Sequence, residues 1–327
     1  MGAGAVGGTI GARLHQASLP VMLVARGAHL VAMRDHGLRF VTPDGSRVLR
    51  VQTASGPGDV QLSADDVLIL TTKSQDTAAA LDAWSGAPVV RGSEVIGTAA
   101  DLLPVLCAQN GVENERLALR RFARVLGVCV WLPAAFTEPG VVVASGAPRP
   151  GMLHVGRYPS GAGGSVYDVA VGLRAAGFEV PVRDDVMRWK YGKLLGNIGN
   201  AFDALFADRS SWSDLLEAAV REGRNALRAA GIPFTSDREQ RTARGNLVTV
   251  QDVPGYPRGG GSTWQSLARG AGSVEVDFLN GEVVLLGRIH GVPTPVNAAV
   301  QRFATQAIHE GVPPRSGDVA ALRALLT

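Results

Sequence analysis

The sequence predicts an α/β protein in two parts: a doubly wound parallel sheet with crossover helices, then an all-α domain. Three observations predict it. Strand-like and helix-like segments alternate from the start of the chain to about residue 183, which is the rhythm of a parallel sheet with crossover helices. From Val186 on, helical patterns dominate and strand signals are nearly absent. The 327 residues also exceed what one core usually serves, since single cores stop growing near about 250–300 residues. The boundary falls at residues 183–185, giving domains 1–183 and 184–327.

Each element follows from its residues. "GGTIGARLHQA" reads as a helix opened by glycines, and "PVMLVAR" as a short apolar strand. "GAHLVAMRDHG" is helical, and "LRFVTPDGSRVLRVQTA" is a hairpin around Pro43-Asp44-Gly45 with alternating flanks. "DVLILTT" is a continuous apolar run, the pattern of a parallel strand buried on both faces. A helix "SQDTAAALDAW", a strand "VLCAQN", a helix "ENERLALRRFA" and a strand "VLGVCVWLPAAF" continue the alternation. In the second half "MRWKYGKLLGNIGNAFDALF", "WSDLLEAAVREGRNALRAAG", "DFLNGEVVLLGRIHG" and "NAAVQRFATQAIHE" are helical, and the glycine-rich stretch 254–262 is a loop between them.

Composition narrows the function. With 46% hydrophobic and 19% charged residues the chain is a soluble globular protein and not a disordered one. No apolar run reaches the roughly 18 residues of a membrane span, and no basic start followed by a long apolar stretch marks a secretion signal. The net charge is +3 and the densest basic group, "ALRRFARV", reads as a solvated helix face, so neither nucleic acid nor membrane is expected as a partner. Cys107 and Cys129 lie in apolar strands and read as buried thiols of a reducing cytoplasm. The six histidines show no metal-ligand spacing, so no metal is expected.

The chemistry starts at the N-terminus. Gly2, Gly4 and Gly7, with Ala5 and Val6 between the last two, form the G-x-G-x-x-G spacing that cradles a dinucleotide pyrophosphate. The end of the following strand carries Arg26 where an NAD-binding site needs an acid. An arginine there suits the 2′-phosphate of NADP through charge-assisted contacts. Asn110 and Gly111 follow the strand "VLCAQ", at the carboxyl end where a doubly wound sheet places its ligands. Lys73 follows "DVLILTT" in the same way. Farther on, Lys190, Lys193, Asn197 and Asn200 fall at offsets that share one helical face.

In their order "GAGAVGG", "LVARGAHLVAMRDHGLRF", "TTKSQDT", "QNGVENE", "FTEPGVV", "KLLGN" and "VEVDFLNGE" resemble the ketopantoate reductase (2-dehydropantoate 2-reductase) family over nearly the whole chain. The resemblance implies an NADP-binding Rossmann-type domain, a helical substrate domain and a site between them. It maps the general acid onto Lys193, with Lys190 as the alternative, and a substrate contact onto Asn197. Glu275 resembles the glutamate that orients the lysine. Asn110 would touch cofactor and substrate, and Lys73 one of the two. Ser262 resembles the serine that binds the substrate carboxylate, with Thr263 as the alternative because the spacing to Glu275 is one residue long. Family members begin with a short strand before the glycine loop. Here only Met1 precedes Gly2, so about five to seven residues of that strand are expected upstream, unless the chain is a variant without it.

Two departures stand out. Ala201 occupies the place of the family's second asparagine on the lysine helix, with Asn200 one residue away, and Gly259 the place of the asparagine before the substrate serine. Arg258 and Arg269 are the candidates to replace lost polar contacts. The function expected is NADPH-dependent reduction of a 2-keto acid, ketopantoate or a relative, by a cytoplasmic monomer or homodimer within pantothenate biosynthesis. Two competitors remain. A catalytically silent dinucleotide sensor would lack the reacting face, and an opine or 3-hydroxyacid dehydrogenase would lack the "NGVENE" and "VEVDFLNG" pair.

Overall fold

The computed structural model describes residues 1–257, 259–270 and 274–326. The chain divides into two compact units. One is Met1–Met187 with Arg241–Pro257, and the other is Arg188–Gln240 with the described residues from 259 on.

The first unit runs α1 (Ala5–Gln16), β1 (Met22–Val24), α2 (Gly27–His36), β2 (Leu38–Thr42), β3 (Gly45–Leu49), β4 (Gln52–Ala54), β5 (Leu62–Ser63), β6 (Leu68–Leu70), α3 (Thr77–Ser85), β7 (Pro88–Arg91), β8 (Glu94–Thr98) and α4 (Ala99–Leu102). It continues through β9 (Pro104–Cys107), α5 (Asn114–Leu119), β10 (Arg124–Trp131), β11 (Ala134–Glu138), β12 (Val141–Ala144), β13 (Gly146–Pro148), β14 (Met152–Arg157) and α6 (Ser165–Ala175). Strands β6, β9 and β10 are parallel neighbours, β14 closes that edge antiparallel, and β1 pairs β4 in parallel. Met1 lies between the two pieces. Its amino group donates to the Ile69 carbonyl at 2.6 Å and its carbonyl accepts from the Thr71 N–H at 2.9 Å. The Gly2 and Ala3 N–H groups both donate to the Val24 carbonyl, at 3.0 and 3.1 Å. The order β4-β1, Met1, β6-β9-β10 is therefore the doubly wound order 3-2-1-4-5-6 with Met1 in the first strand's place.

The apolar runs of these strands feed two cores. Leu106, Leu126, Val128 and Val130 pack with Ile10 of α1 and with Val166, Ala170 and Leu173 of α6. Val105, Cys107 and Val125 point the other way, onto Leu81 and Trp84 of α3 and Ala118 of α5. Alternate side chains serving opposite faces is what an unbroken apolar strand implies once helices cover both sides.

The hairpin forms where its turn residues demand. Thr42 pairs Gly45 across the two-residue loop Pro43-Asp44, and Gly45 takes φ +128°. Cys107 and Cys129 are buried in β9 and β10. The run "VLGVCVWLPAAF" is two strands and not one. It breaks at Pro133, which has no N–H for a ladder, and the residues beyond it join a second sheet ordered β11-β12-β2-β3.

The rest of the chain forms α7 (Val186–Asn197), α8 (Gly199–Leu205), α9 (Ser213–Ala229), α10 (Asp237–Arg244), β15 (Val248–Val250), α11 (Ser262–Ala268), α12 (Asn280–His290), α13 (Pro295–His309) and α14 (Val319–Ala324). One strand thus falls in the half that reads as helical. β15 is three residues long, too short for a periodic signature, and it exists because β13 offers it an antiparallel edge. The second unit is helical throughout its described residues. Its core takes Leu195 and Ile198, Phe202 and Leu205 of α8, Leu215 and Ala219 of α9, and Val283 and Val300 of α12 and α13. Glu222 caps α13, its carboxylate accepting from the Val296 and Asn297 N–H groups at 2.9 and 3.0 Å, which meets donors that a helix start leaves unpaired. No described helix is long and apolar enough to cross a membrane.

Candidate functional site

The glycine loop is built by close approach of backbone to backbone. Gly2 takes φ +94°, and a Cβ on it would lie 2.8 Å from the Thr72 nitrogen. A Cβ on Gly7 would lie 2.3 Å from both the Gly2 carbonyl oxygen and Thr71 Oγ1. That hydroxyl donates to the Met1 and Gly2 carbonyls at 2.9 and 2.7 Å, so the loop after β6 buttresses the glycine loop. At Gly4, by contrast, a Cβ would meet nothing within 4 Å. Directly after it α1 begins with Ala5 and Val6, with no acidic residue in its first turn and no side-chain cap among the described residues. An uncapped helix start facing open space beside a glycine fits a pyrophosphate.

Arg26 is exposed and forms the N-cap of α2, one residue after the sheet face ends. One turn into that helix stands His29, a residue that sequence reasoning passed over. Its Nδ1 accepts the Gly140 N–H at 2.9 Å and its Nε2 lies 2.8 Å from the Ala3 carbonyl oxygen.

The other two strand ends are tied together by buried amides. Lys73 is the N-cap of a single 3-10 turn, Ser74–Asp76, after β6, and Asn110 follows β9, the neighbouring strand. Gln109 Nε2 donates to the Thr72 carbonyl at 2.9 Å and to Thr77 Oγ1 at 2.8 Å. The Thr77 hydroxyl donates to Asn114 Oδ1 at 2.7 Å, and Asn114 Nδ2 donates to Ser74 Oγ at 3.1 Å and to the Asn110 carbonyl at 3.0 Å. Gln109 and Asn114 are buried, so this net fixes the loops that carry Lys73 and Asn110. The first unit therefore gathers the glycine loop, Arg26, Lys73 and Asn110 at the carboxyl ends of adjacent strands.

In the second unit, Lys190, Lys193 and Asn197 lie on α7. Lys190 is buried and Lys193 half-buried. A Cβ on Gly196, between Lys193 and Asn197, would meet nothing within 4 Å, whereas one on Gly192 would meet Thr235 and Gln240. Asn200 lies three residues beyond Asn197, in the first turn of α8, and Ile198 between the two helices keeps helical backbone, φ −51° and ψ −37°, with its N–H donating to the Leu194 carbonyl at 3.1 Å. Glu275 is buried and opens a 3-10 turn, Glu275–Phe278, that leads into α12. Asn280, at the start of α12, donates to the Ile198 carbonyl at 3.4 Å and to Asn297 Oδ1 at 3.1 Å, which anchors that turn at the end of α7. Ser262 and Thr263 open α11, with Ser262 half-buried and Thr263 buried.

The two departures have structural settings. Ala201 is buried in the core of α8. At Gly259, a Cβ would lie 1.9 Å from the Trp264 ring, and one on Gly260 would lie 2.5 Å from it. Trp264 fills the space that an asparagine at 259 needs. The loop is held by Asp203, which accepts the Gly261 N–H at 3.2 Å and pairs with Arg315 at 2.9 Å, while the Arg315 guanidinium lies 5.9 Å from the Trp264 ring centre. Arg269 is exposed at the end of α11, and Arg258 lies outside the described residues.

Comparison with known proteins places these residues in a family. The profile described as ketopantoate reductase PanE/ApbA matches residues 1–160, and its C-terminal counterpart matches residues 185–307. The 2-dehydropantoate 2-reductase of Halobacterium salinarum is 32% identical over 323 residues, 95% of this chain and 98% of that protein. Among solved structures, a PanE/ApbA family ketopantoate reductase from Ralstonia eutropha JMP134 superposes with a TM-score of 0.75 at 26% identity, covering 95% of this chain and 98% of that one. A D-mandelate dehydrogenase, in a ternary structure with NADH and anilino(oxo)acetate, superposes with a TM-score of 0.74 over 95% of this chain and 98% of its own, and at 18% identity this is a likeness of fold alone.

Proposed function

The chain belongs to the ketopantoate reductase family, and from that premise we propose that it reduces a 2-keto acid, ketopantoate or a relative, to the 2-hydroxy acid with NADPH. The observation that carries this reading is α7, where Lys193 stands half-buried one turn before Asn197 with open space at Gly196 beside it.

NADPH, when bound, would supply the hydride that reduces the keto carbon. The residues do the rest. Hydride addition builds negative charge on the keto oxygen, and Lys193 Nζ stabilises that charge and then gives up its proton to it. Glu275, a buried carboxylate, keeps the ammonium charged and oriented. The Ser262 hydroxyl donates to the substrate carboxylate, and its greater exposure favours it over buried Thr263. Asn197 and Asn110 supply further amide contacts. The Gly4-to-Val6 backbone receives the pyrophosphate, Lys73 meets the cofactor's charge, and Arg26 meets the 2′-phosphate. Gly259 and Ala201 remove two amides from the family pattern, so the keto-acid class is better supported than ketopantoate itself. The buried thiols Cys107 and Cys129 suit a reducing cytoplasm, where we place the protein as a monomer or homodimer.

A panel of 2-keto acids, ketopantoate included, assayed by NADPH and NADH consumption, tests the proposal. We expect turnover, with NADPH preferred by about 30-fold from one charge-assisted phosphate contact. Arg26→Ala should erase most of that preference. Equal use of NADH by the unaltered protein would refute the 2′-phosphate role. Cofactor binding without turnover of any keto acid would favour the silent sensor.

A further inference from the structure

His29 braces the glycine loop through both ring nitrogens. The Gly140 N–H donates to Nδ1 at 2.9 Å, so Nδ1 carries no proton in the neutral ring and Nε2 does. Nε2 then donates to the Ala3 carbonyl, 2.8 Å away, in the middle of Gly2-Ala3-Gly4. The ring is held edge-on against Phe136 of β11, with centroids 4.7 Å apart. Burial pushes its pKa below the ordinary histidine value, which favours the neutral tautomer that the two bonds require.

The far anchor is itself fixed. Gly140 sits in the turn between β11 and β12 at φ +81°, and its carbonyl accepts the Arg39 N–H at 2.8 Å. A Cβ on Gly140 would lie 3.0 Å from the Ala32 side chain of α2, so the turn and that helix are in close contact. His29 also stands one helical turn after Arg26. One ring thus ties three things together: the loop at the pyrophosphate end, the helix that presents Arg26, and a rigid turn of the second sheet.

We propose that His29 is a positioning residue for the dinucleotide, holding the Ala3 carbonyl so that the Gly4-to-Val6 amides stay aimed at the pyrophosphate while α2 is kept in register with the loop. The proposal rests on the cofactor reading above and adds a residue to it.

Two substitutions separate hydrogen bonding from packing. His29→Phe keeps a ring against Phe136 and loses both hydrogen bonds, with His29→Leu as the smaller equivalent should Phe fail to fold. His29→Gln keeps an acceptor and a donor and loses the ring. Loss of the two bonds is expected to raise the NADPH Kd, read by fluorescence titration without substrate, about tenfold. The NADPH KM should rise in parallel, with kcat at saturating cofactor nearly unchanged. In the apoprotein the Gly140 amide should exchange its hydrogen faster. His29→Gln should restore Kd to within about threefold of the unaltered protein.

An unchanged Kd in folded His29→Phe or His29→Leu would overturn the proposal. So would a His29→Gln protein as weak as His29→Phe, since restoring a donor and an acceptor would then recover nothing. Should the unaltered protein bind no dinucleotide, the cofactor reading fails first and takes the proposal with it. That failure is told apart by appearing in the parent protein.

Discussion

Two glycine clusters mark the two units, and they serve opposite ends. Around Gly2, Gly4 and Gly7 the missing side chains let backbone approach backbone, as the 2.3 Å from a Gly7 Cβ to the Gly2 oxygen measures. The one open position, Gly4, faces space. Around Gly259 and Gly260 the missing side chains make room for Trp264, whose ring would lie 1.9 Å from a Gly259 Cβ. In the first unit the proposed cofactor site therefore rests on main-chain amides. In the second unit the groups proposed to react, Lys193, Asn197, Glu275 and Ser262, are side chains, and its glycines at 259 and 260 only accommodate a neighbour. A backbone site tolerates no added atom. A side-chain site tolerates small changes except at the groups that react.

That contrast can be broken most sharply at Lys193. Lys193→Ala should lower kcat by about 10²–10⁴-fold while leaving the NADPH Kd nearly unchanged, because on the proposed mechanism the lysine supplies a proton, and it belongs to a different unit from the glycine loop. Lys190→Ala should cost much less catalytically. It is buried, so its loss should appear as a lower Tm. If Lys190→Ala is the more damaging to kcat, the assignment along α7 is off by one turn.

Gly7→Ala is the matching test of the backbone half. The added methyl would collide with main chain that Thr71 holds in place, and overpacking of this kind costs about 1–3 kcal/mol. The expected result, by fluorescence titration, is an NADPH Kd raised about 10- to 100-fold with kcat less affected. An unaffected Kd would show that the loop has slack that its geometry denies.

Gly259→Asn probes the other cluster. Restoring the family's asparagine should lower stability by about 1–3 kcal/mol, because the side chain must enter the Trp264 ring. The double variant Gly259→Asn/Trp264→Ala should recover most of that loss in a denaturant titration. Additive losses would mean that Trp264 is not what excludes the asparagine.

Acid sharpens the comparison gently. His154 of β14 is fully buried against Trp131, with Arg183 Nε donating to its Nδ1 at 3.1 Å. Burial, then the Arg183 charge, pushes its pKa down to about 3. Its folded value lies below its unfolded one, so the unfolded chain binds the proton first. The contribution is fully present above about pH 6.5 and is lost progressively as pH falls from there toward 3, at about 1.4 kcal/mol per pH unit. Denaturant titrations at pH 7.5, 5.5 and 4.5 should show that slope, and His154→Asn should flatten it.

Legibility followed the range of the interactions involved. The hairpin was readable because Pro43-Asp44-Gly45 fixes its turn locally. The alternation of strand and helix was readable because both faces of β9 and β10 are buried, which writes an unbroken apolar run. β15 was not, since three residues carry no period and its partner β13 lies about a hundred residues away.

The sequence by itself determined the glycine spacing, the acid-free strand end at Arg26, the lysine and asparagine one turn apart on α7, and the succession of motifs that marks the family. All of these are matters of residue type at short separation, where chain geometry alone fixes what neighbours can do. Tertiary structure alone decided that Met1 pairs with β6 while Gly2 and Ala3 bond to the end of β1, that Gln109 and Asn114 lock the loops bearing Lys73 and Asn110, that His29 reaches Gly140, and that Trp264 displaces an asparagine from position 259. Each of these depends on which atoms meet after the chain has packed. A hydrogen bond or a collision of a few tenths of an ångström is set by where distant segments come to rest, and nothing in the local pattern specifies that.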